Sequence, residues 1–354
     1  MRGRAFLFDR ADGMLRAAMT VDGRLEALEV DGGGGPRLGA VHRAKVEERV
    51  SGLGAAFLDL GGARGFMAEA KGIDPGDRLL VQVRREAEGT KAARVSADLQ
   101  VEGRWMVHTP RKPGVNVSRK IADEDERERL RAAIPSDRGG FILRTQAEGA
   151  PADALRVEAK ALSALDADGP PGLVREGPDA IARLLSRQPL RKASVEATPE
   201  AEAAARAALG PDGERLEVAP DPFDHHGVED EIDALLSPRA VLPGGGTITL
   251  EPTTALVAVD VDSGDVRGGE ALLRVNLAAA KEVARQLRLR RLGGAIAIDF
   301  AGGPRGKARQ RLEQALTAAA DADTRPLGWG PAGWFEMQRR RPGPSLAQLM
   351  ADRG

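Results

Sequence analysis

Alternating apolar and polar positions open the chain and predict short β-strands. Residues 4–8, 14–19 and 24–30 alternate in this way. Asp-Gly pairs at 12–13 and 22–23 separate these segments, and such pairs are typical of two-residue hairpin turns. Residues 4–30 are therefore predicted to form a three-stranded antiparallel meander.

A second alternating region follows a glycine-rich linker at 31–36 and predicts a separate all-β unit. Its five short segments are typical of a small Greek-key barrel of the OB type, which binds single-stranded nucleic acid through exposed aromatic and basic side chains. The side chains of that kind are Phe57, Phe66, Lys45, Arg64 and Lys91, although the two phenylalanines fit a core position slightly better from the pattern alone. The predicted strands are 39–49, 54–60, 64–68, 78–84 and 91–97.

Residues 99–237 have a mixed pattern that predicts helices around a buried strand. The strand, 140–145, ends in Arg144 and Thr145, whose guanidinium and hydroxyl could bind a phosphate group. A surface ion pair is the alternative role for Arg144. Metal binding by the adjacent pair His225 and His226 is disfavoured, because neighbouring helical residues point about 100° apart. Helices are predicted at 122–134, 152–165, 178–187, 199–209 and 223–236.

Two β-branched segments that end in aspartate flank a long helical pattern between residues 255 and 300. In 256–262, Asp260 and Asp262 share one face of the strand, and in 295–300 Asp299 follows alanines on one face. If these strands are parallel neighbours joined by the helix, Asp260 and Asp299 meet at one sheet edge, where ligands bind in open α/β sheets.

The helix between the two strands is predicted over 270–291 and is expected to end at Gly293-Gly294. Apolar residues at helical spacing form its buried stripe, and four basic residues form an adjoining stripe that suits an RNA backbone. The basic stripe consists of Arg274, Lys281, Arg285 and Arg288.

Clustered carboxylates repel one another unless a cation or a proton lies among them. Mg²⁺ needs few protein oxygens and accepts substrate phosphate as a further ligand, so Asp260, Asp262 and Asp299 suit a magnesium-dependent phosphodiester reaction. On spacing alone, strand-end capping or pairing with arginines explains these aspartates equally well.

Composition restricts the classes of function. The formal net charge is −1, so a nucleic-acid surface must be local, and residues 266–311 carry eleven Lys or Arg against three Asp or Glu. No cysteine is present, which excludes thiolate nucleophiles and cysteine zinc sites within this sequence. No apolar run approaches the roughly 18 residues of a membrane span, and a cytoplasmic protein is expected.

The segment VAVDVDSGDVRGGEALLRVNLAAAKEVARQLRLRRLGGAIAIDF resembles the catalytic segment of the ribonuclease E/G family, above all in ARQLRLRRLGG followed by IDF. GAVHRAKVEERVSGLGAAFLDLG resembles the start of the family's S1 domain, and GFILRT resembles its 5′-sensor strand. FDHHGVEDEIDALLSPRAVLPGGGTITLEPTTAL resembles the approach to its catalytic domain. The similarity therefore extends along nearly the whole chain.

The resemblance implies a multidomain α+β endoribonuclease that cleaves single-stranded RNA with Mg²⁺ and leaves a 5′-phosphate. It assigns metal binding to Asp260 and Asp299, 5′-phosphate sensing to Arg144 and Thr145, and RNA contacts in the barrel to Phe57, Phe66 and Lys91. The implied architecture is an RNase H-like subdomain in two parts, 1–35 and 169–237, an S1 domain at 36–98, a 5′-sensor region at 99–168 and a DNase I-like domain at 238–354.

Several positions depart from the family pattern. Asp262 stands where the family usually has asparagine, Gly302 where it usually has an acidic residue, and 331–333 reads Pro-Ala-Gly where it often has Arg-Phe-Gly. The family's zinc-binding cysteine pair and C-terminal scaffold are absent, so a homodimer would form without a zinc link. An RNA-binding relative with weakened catalysis is the alternative to a working nuclease.

Overall fold

The computed structural model describes residues 3–32, 35–50, 52–134, 139–190 and 192–351. Positions 33 and 34 of the predicted glycine-rich linker lie outside the described residues. The chain divides into two compact units, one formed by residues 1–33 with 179–354 and the other by residues 34–178.

Within the described ranges the chain forms strands of two to ten residues. In chain order they are β1 (Arg4–Ala11), β2 (Met14–Val21), β3 (Arg24–Val30), β4 (Val41–Val50), β5 (Ala55–Asp59), β6 (Arg64–Met67), β7 (Arg78–Arg85), β8 (Ala93–Ser96), β9 (Val101–Glu102), β10 (Met106–Thr109), β11 (Gly114–Val117), β12 (Gly140–Leu143), β13 (Gly172–Arg175), β14 (Ala193–Ala197), β15 (Leu216–Val218), β16 (Arg239–Val241), β17 (Thr247–Pro252), β18 (Leu256–Asp262), β19 (Gly294–Asp299), β20 (Thr324–Trp329) and β21 (Phe335–Arg339).

The helices of the described residues all follow β11 in the chain. They are α1 (Glu124–Ala133), α2 (Ala152–Ser163), α3 (Ala180–Arg187), α4 (Pro199–Leu209), α5 (Pro222–His225), α6 (Val228–Leu236), α7 (Gly269–Leu289), α8 (Lys307–Ala319) and α9 (Leu346–Ala351). Among them, none has the length and apolar content needed to cross a membrane.

The first sheet of the unit formed by residues 1–33 and 179–354 has the order β15-β14-β1-β2-β3. Its hairpin turns were predicted correctly, because Asp12 and Asp22 have positive φ angles of 50° and 52° and each is followed by a glycine with positive φ. One face packs against α3 and α4 around Phe6 and Phe8, and the other packs against α5, α6 and α9. Burial on both faces explains the strongly apolar β1.

The second sheet of the same unit has the order β16-β17-β18-β19-β21-β20. Its apolar face packs against α7 and α8, with Val259, Ile298 and Phe335 among the buried residues. The opposite face carries exposed side chains, including Val241 at 79% and Trp334 at 46% of full exposure. The sheet therefore has one buried face and one face open for binding.

The helix between the two aspartate strands ends earlier than the sequence predicted. Arg291 adopts a left-handed conformation with φ 56°, and Leu292 N–H donates to the carbonyl oxygen of Leu287 at 3.0 Å. This 6→1 hydrogen bond closes α7 at Leu289, so the expected stop at Gly293-Gly294 was wrong. The predicted helix 223–236 is likewise divided into α5 and α6, because Gly227 is left-handed.

The unit formed by residues 34–178 contains the predicted barrel. Strands β4, β5, β6, β8 and β7 pair in that order, and β7 pairs back with β4 to close it. The β6–β8 pair is parallel and the other pairs in the barrel are antiparallel. A second sheet, β11-β12-β10-β9, packs against α1 and α2 in the same unit.

The boundary of this unit differs from the expected domain limit at residue 168. Strand β13 pairs with β4, with Gly172 opposite Arg43, so residues up to Pro178 belong to the unit. Because this pairing joins residues far apart in the chain, local sequence patterns gave no signal for it.

Candidate active site

Two carboxylates lie side by side on the open face of the second sheet. Strands β18 and β19 are parallel, and Asp260 is directly opposite Asp299 in their register. Both side chains are exposed, whereas the residues on either side of Asp260, Val259 and Val261, are buried against the helices. Alternation thus fixes the direction of the aspartates, and Ala297 next to Asp299 leaves room around them.

The electrostatic environment of Asp260 is unfavourable for its charged form. Partial desolvation, together with repulsion from Asp299, Asp262 and Glu251, raises the pKa of Asp260. The described part of the chain supplies no salt bridge to Asp260 or Asp299. The alternative in which these aspartates pair with arginines therefore has no support in the described residues.

The aspartates line a cavity of about 480 Å³ on this face. Its other polar walls come from strands β16 and β17, and an aromatic side chain forms a wall beyond β19. The lining residues are Arg239, Thr249, Glu251, Leu256, Ala258, Val259, Asp260, Ala297, Asp299 and Trp334.

The donor set suits one hard divalent cation. Mg²⁺ is commonly held by one or two carboxylates and completes its shell with water and substrate phosphate, which two exposed neighbouring aspartates permit. No group of three or more His, Cys, Asp or Glu that could hold a metal occurs among the described residues. Two carboxylates alone leave positions in the shell of such an ion for water and substrate phosphate.

Asp262 has a different environment from the pair. It lies on the same face as Asp260, but its Oδ1 accepts a hydrogen bond from Gly264 N–H at 2.8 Å. This contact holds the loop that follows β18. Asp262 thus adds negative charge to the site while one of its oxygens is used in a turn.

The basic residues of α7 do not form one exposed stripe. Arg274 and Lys281 are exposed, Arg288 is half-buried and donates to the carbonyl oxygen of Ala319 at 3.3 Å, and Arg285 is buried. Arg285 donates through Nε to the Leu25 carbonyl oxygen at 2.7 Å and pairs with Glu282 at 3.0 Å.

This placement corrects the expectation of an arginine stripe facing RNA. A helical pattern gives the direction of Arg285 but not the neighbour that covers it, and here β3 and α6 cover it. Arg285 is therefore a structural ion-pair residue, and it has no open face for a phosphate group.

In the barrel, the two predicted phenylalanines form a cross-strand pair. Phe57 lies opposite Phe66, and their ring centroids are 5.3 Å apart. Both are half-buried, and the Arg64 guanidinium lies 4.0 Å from the Phe57 centroid. Lys45 and Lys91 are exposed. Each phenylalanine of the pair is thus partly buried and partly accessible to solvent.

Arg144 and Thr145 follow strand β12. Arg144 Nη1 donates to the Gly103 carbonyl oxygen at 3.2 Å, and Nη2 lies 3.7 Å from a carboxylate oxygen of Glu102. The Thr145 hydroxyl lies 3.1 Å from the Ser118 hydroxyl. The predicted surface ion pair of Arg144 is present, and it leaves the guanidinium partly exposed.

His225 and His226 were not expected to bind metal. His226 Nε2 lies 3.0 Å from a carboxylate oxygen of Glu196, which gives this histidine a structural partner. The side chains that sequence reasoning missed are Arg239, Thr249, Glu251 and Trp334. Period-two alternation in β17 would have placed Thr249 and Glu251 on the face of the aspartates.

Gly302, where an acidic residue is usual in the family, has a steric explanation. Its φ is 72°, and a Cβ added there would lie 2.3 Å from Leu272 Cδ2. A larger residue is therefore disfavoured by the backbone conformation, whereas the flexible end of the Leu272 side chain can move aside.

The curated proteins that this chain resembles include ribonucleases E and G. Ribonuclease E of Nostoc sp. is 30% identical over 372 residues, which cover 89% of this chain and 53% of that protein. Ribonuclease G of Haemophilus influenzae and of Escherichia coli are each 28% identical, with 89% of this chain and 74% or 75% of those proteins covered. The chain thus spans about half the length of that ribonuclease E.

A family model described as the Ribonuclease E/G family matches residues 100–342. The matched region includes both aspartates and the Arg144-Thr145 pair. The chain belongs to the ribonuclease E/G family.

Proposed function

We propose that this protein is a Mg²⁺-dependent endoribonuclease that hydrolyses phosphodiester bonds in single-stranded RNA and leaves a 5′-phosphate. The observation that carries the proposal is the paired register of Asp260 and Asp299 on an open sheet face, in a chain of the ribonuclease E/G family. Asp260 and Asp299 would hold the ion. When bound, Mg²⁺ supplies a Lewis acid and an activated water for attack on phosphorus.

The chain's own residues prepare this site in three ways. The buried valines of β18 and the buried Ile298 of β19 fix the two carboxylates on a rigid sheet. Partial desolvation and the neighbouring negative charges raise the pKa of Asp260, and these negative charges favour cation binding. Asp262 contributes charge and holds the adjoining loop through Gly264.

Two further sites of the proposal lie in the other unit. The Phe57–Phe66 pair, with Lys45 and Lys91, would bind single-stranded RNA by stacking and by phosphate contacts. Arg144 and Thr145 would bind a 5′-monophosphate through guanidinium and hydroxyl donors. Helix α7 packs against the face of the sheet opposite the aspartates. The proposed phosphate contact of the exposed Arg274, and a weaker one of the half-buried Arg288, would therefore lie away from the aspartates.

The domain assignment is part of the same proposal. The closed barrel would be the S1 domain at 36–98, and 99–168 the 5′-sensor region. The first sheet would be the RNase H-like subdomain, whose second part begins at 179 and not at the expected 169, because β13 belongs to the unit of the barrel. Residues 238–354 would be the DNase I-like domain. The RNA substrates of the protein would be mRNA decay intermediates and rRNA or tRNA precursors in the cytoplasm. A homodimer is the proposed assembly.

Cleavage of a 5′-monophosphorylated, AU-rich single-stranded RNA with Mg²⁺ and with EDTA tests the proposal. We expect internal cleavage that EDTA stops, and products whose 5′ ends accept a kinase label only after phosphatase treatment. Asp260→Asn and Asp299→Asn should each reduce the rate at least about a hundredfold. Asp233→Asn, an exposed change on α6, is the matched control and should cleave normally.

Cleavage that resists EDTA would refute the proposed site. Cleavage by Asp260→Asn and Asp299→Asn at the wild-type rate would refute it as well. RNA binding without cleavage would instead indicate an RNA-binding relative with lost catalysis.

A further inference from the structure

A row of side chains crosses the open face of the second sheet in one register. Arg239 of β16 is opposite Thr249 of β17, Thr249 is opposite Asp260, and Asp260 is opposite Asp299. The β19–β21 ladder ends with Ile298 opposite Phe335, so Trp334 is the next residue beside Asp299. All five members of the row line the cavity.

The proposed nuclease site uses the two aspartates at the centre of this row and leaves Arg239 and Trp334, at its two ends, without a role. We propose that Trp334 stacks on a nucleobase next to the scissile phosphate, and that Arg239 binds a phosphate of the same strand on the other side of the aspartates. This inference rests on the proposed endoribonuclease activity and adds the path of the substrate, which runs across the strands from β16 to β21.

The dimensions of the sheet suit such a path. Neighbouring strands lie about 4.8 Å apart, so Arg239 is roughly 10 Å from Asp260, and Trp334 is roughly 5 Å from Asp299 at the level of the backbone. Because the carboxylates lie between the two ends, a strand bound at both ends would pass over them. The geometry thus places one phosphate at the aspartates and a base and a phosphate at the flanks.

Trp334 has the properties of a stacking residue. It is 46% exposed, and Phe335, on the opposite face, is fully buried. The Trp334 carbonyl oxygen accepts a hydrogen bond from Gly330 N–H at 2.9 Å, which closes the turn before β21. In the part of the chain that the structure describes, the Trp334 ring has no aromatic or cationic partner, whereas Trp329 contacts Phe300, Phe335 and Arg309.

Arg239 has the properties of a phosphate-binding residue. Its side chain is exposed and makes no hydrogen bond or ion pair with the described residues. It is also the one basic side chain among the residues that line the cavity, whose other charged groups are Glu251, Asp260 and Asp299. A guanidinium at this position can bind phosphate oxygens through two parallel hydrogen bonds.

Cleavage kinetics with modified RNA test the stacking contact. We expect Trp334→Ala to lower kcat/KM about 5- to 150-fold and Trp334→Phe to lower it by less than about threefold, because phenylalanine still stacks. For the wild-type protein, an RNA with one abasic nucleotide beside the cleavage site should have a kcat/KM lower by a similar factor. For Trp334→Ala, the same abasic RNA should have nearly the kcat/KM of the intact RNA, because the stacking contact is already lost.

Leu327→Ala is the matched control, because Leu327 is 54% exposed on β20 and lies outside the cavity lining. It should leave kcat/KM unchanged. Thermal melting of all variants separates loss of contact from loss of folding. The stacking role would be overturned if wild type and Trp334→Ala had equal kcat/KM. It would also be overturned if the abasic RNA lowered the kcat/KM of Trp334→Ala as much as that of the wild type.

Salt dependence tests the phosphate contact. Arg239→Ala should lower kcat/KM and reduce the slope of log kcat/KM against log salt by about 0.7, the value for one single-stranded phosphate contact. Arg239→Lys should keep the slope, because the charge remains. An unchanged slope in Arg239→Ala would overturn this role.

A binding measurement keeps this inference separate from the nuclease activity. In a Trp105→Phe, Trp329→Phe protein, oligouridylate should quench the fluorescence of Trp334 even if the protein does not cleave RNA. Quenching without cleavage would refute the nuclease proposal and support the stacking role. Absence of quenching in a protein that cleaves RNA would refute the stacking role alone.

Discussion

Asp260 and Asp299 lie directly opposite each other on neighbouring parallel strands, and both project from the open face of the sheet. Their mutual repulsion contributes to the raised pKa of Asp260. Like charges held together destabilise the folded protein, and the proposed metal ion would relieve their repulsion.

The first prediction concerns this balance between stability and metal binding. Asp260→Asn and Asp299→Asn should melt at the wild-type temperature or up to about 3 °C above it in EDTA, because one charge of a solvent-screened pair is removed. Mg²⁺ should raise the melting temperature of the wild type and of the Asp233→Asn control, but not of these variants. Differential scanning fluorimetry measures both effects, and an equal Mg²⁺ shift in Asp260→Asn would contradict the assignment.

The second prediction separates the two roles of Asp262. Asp262→Asn keeps an oxygen that can accept from Gly264 N–H, so cleavage at saturating Mg²⁺ should stay within about threefold of wild type. Asp262→Ala loses the turn contact and should cleave about fivefold more slowly. Both variants should need more Mg²⁺ for half-maximal rate, because a nearby charge is removed. If Asp262→Asn were as inactive as Asp260→Asn, Asp262 would be a metal ligand rather than a loop residue.

The third prediction concerns 5′-end sensing. Arg144→Ala should abolish the preference for 5′-monophosphorylated over 5′-hydroxyl RNA and leave cleavage of 5′-hydroxyl RNA unchanged. Glu102→Gln should increase that preference, because Glu102 competes with the phosphate for the guanidinium. Competition between the two RNAs in one reaction measures the ratio. The control is Arg156→Ala, whose guanidinium pairs with the exposed Asp153, and a preference that survives Arg144→Ala would exclude the sensor role.

The fourth prediction concerns RNA binding by the barrel. Phe57→Ala should weaken binding of a single-stranded oligonucleotide about 5- to 150-fold, the usual range for one stacked base. Phe57→Leu should weaken binding nearly as much but preserve more of the packing against Phe66. Fluorescence anisotropy and thermal melting together distinguish binding from folding. Leu53→Ala, at a residue 70% exposed near the barrel, should bind normally, whereas wild-type affinity in Phe57→Ala would assign Phe57 to packing alone.

The fifth prediction uses a buried ion network. Burial opposes ionisation of Glu29, but the attraction of Arg183, Arg187 and Arg291 exceeds this effect and lowers the pKa of Glu29 below 4.5. Its stabilising contribution is therefore fully present above about pH 4.5 and is lost as the pH falls through the lowered value. Glu29→Gln should reduce the free energy of unfolding by about 3–5 kcal/mol at pH 7.

Urea unfolding, monitored by the fluorescence of Trp329 and Trp334 in a Trp105→Phe background, measures the change in the free energy of unfolding of the unit that contains Glu29. The variant should also lose stability less steeply than the wild type below pH 4.5. Glu214→Gln, an exposed change in the same unit, provides the control. If Glu29→Gln lowered the free energy of unfolding by less than about 1 kcal/mol, the ion network would contribute little to stability.

Local signals in the sequence predicted much of this molecule. The Asp-Gly pairs determine the turns of β1–β3, and alternation locates all five barrel strands, because turn conformation and side-chain direction depend on near neighbours. The position of Asp260 beside Asp299 was also predicted, from two strand patterns and the helix that connects them. All of these features depend on residues that are close together in the sequence.

Features that depend on distant neighbours were not predicted. Burial of Arg285 requires β3 and α6 to cover α7, and the extra strand β13 requires pairing with β4. The row from Arg239 to Trp334 depends on register across five strands, and no single strand carries that information.

The left-handed Gly302 restricts which residues the turn after β19 can accept. The end of the Leu272 side chain is flexible and can move away from a new Cβ, but the φ of 72° strains any L side chain placed at 302. Such strain costs about 1–2 kcal/mol, and aspartate or asparagine tolerates the left-handed conformation better than longer side chains do. If an acidic residue were introduced at 302, aspartate would therefore disturb the turn less than glutamate.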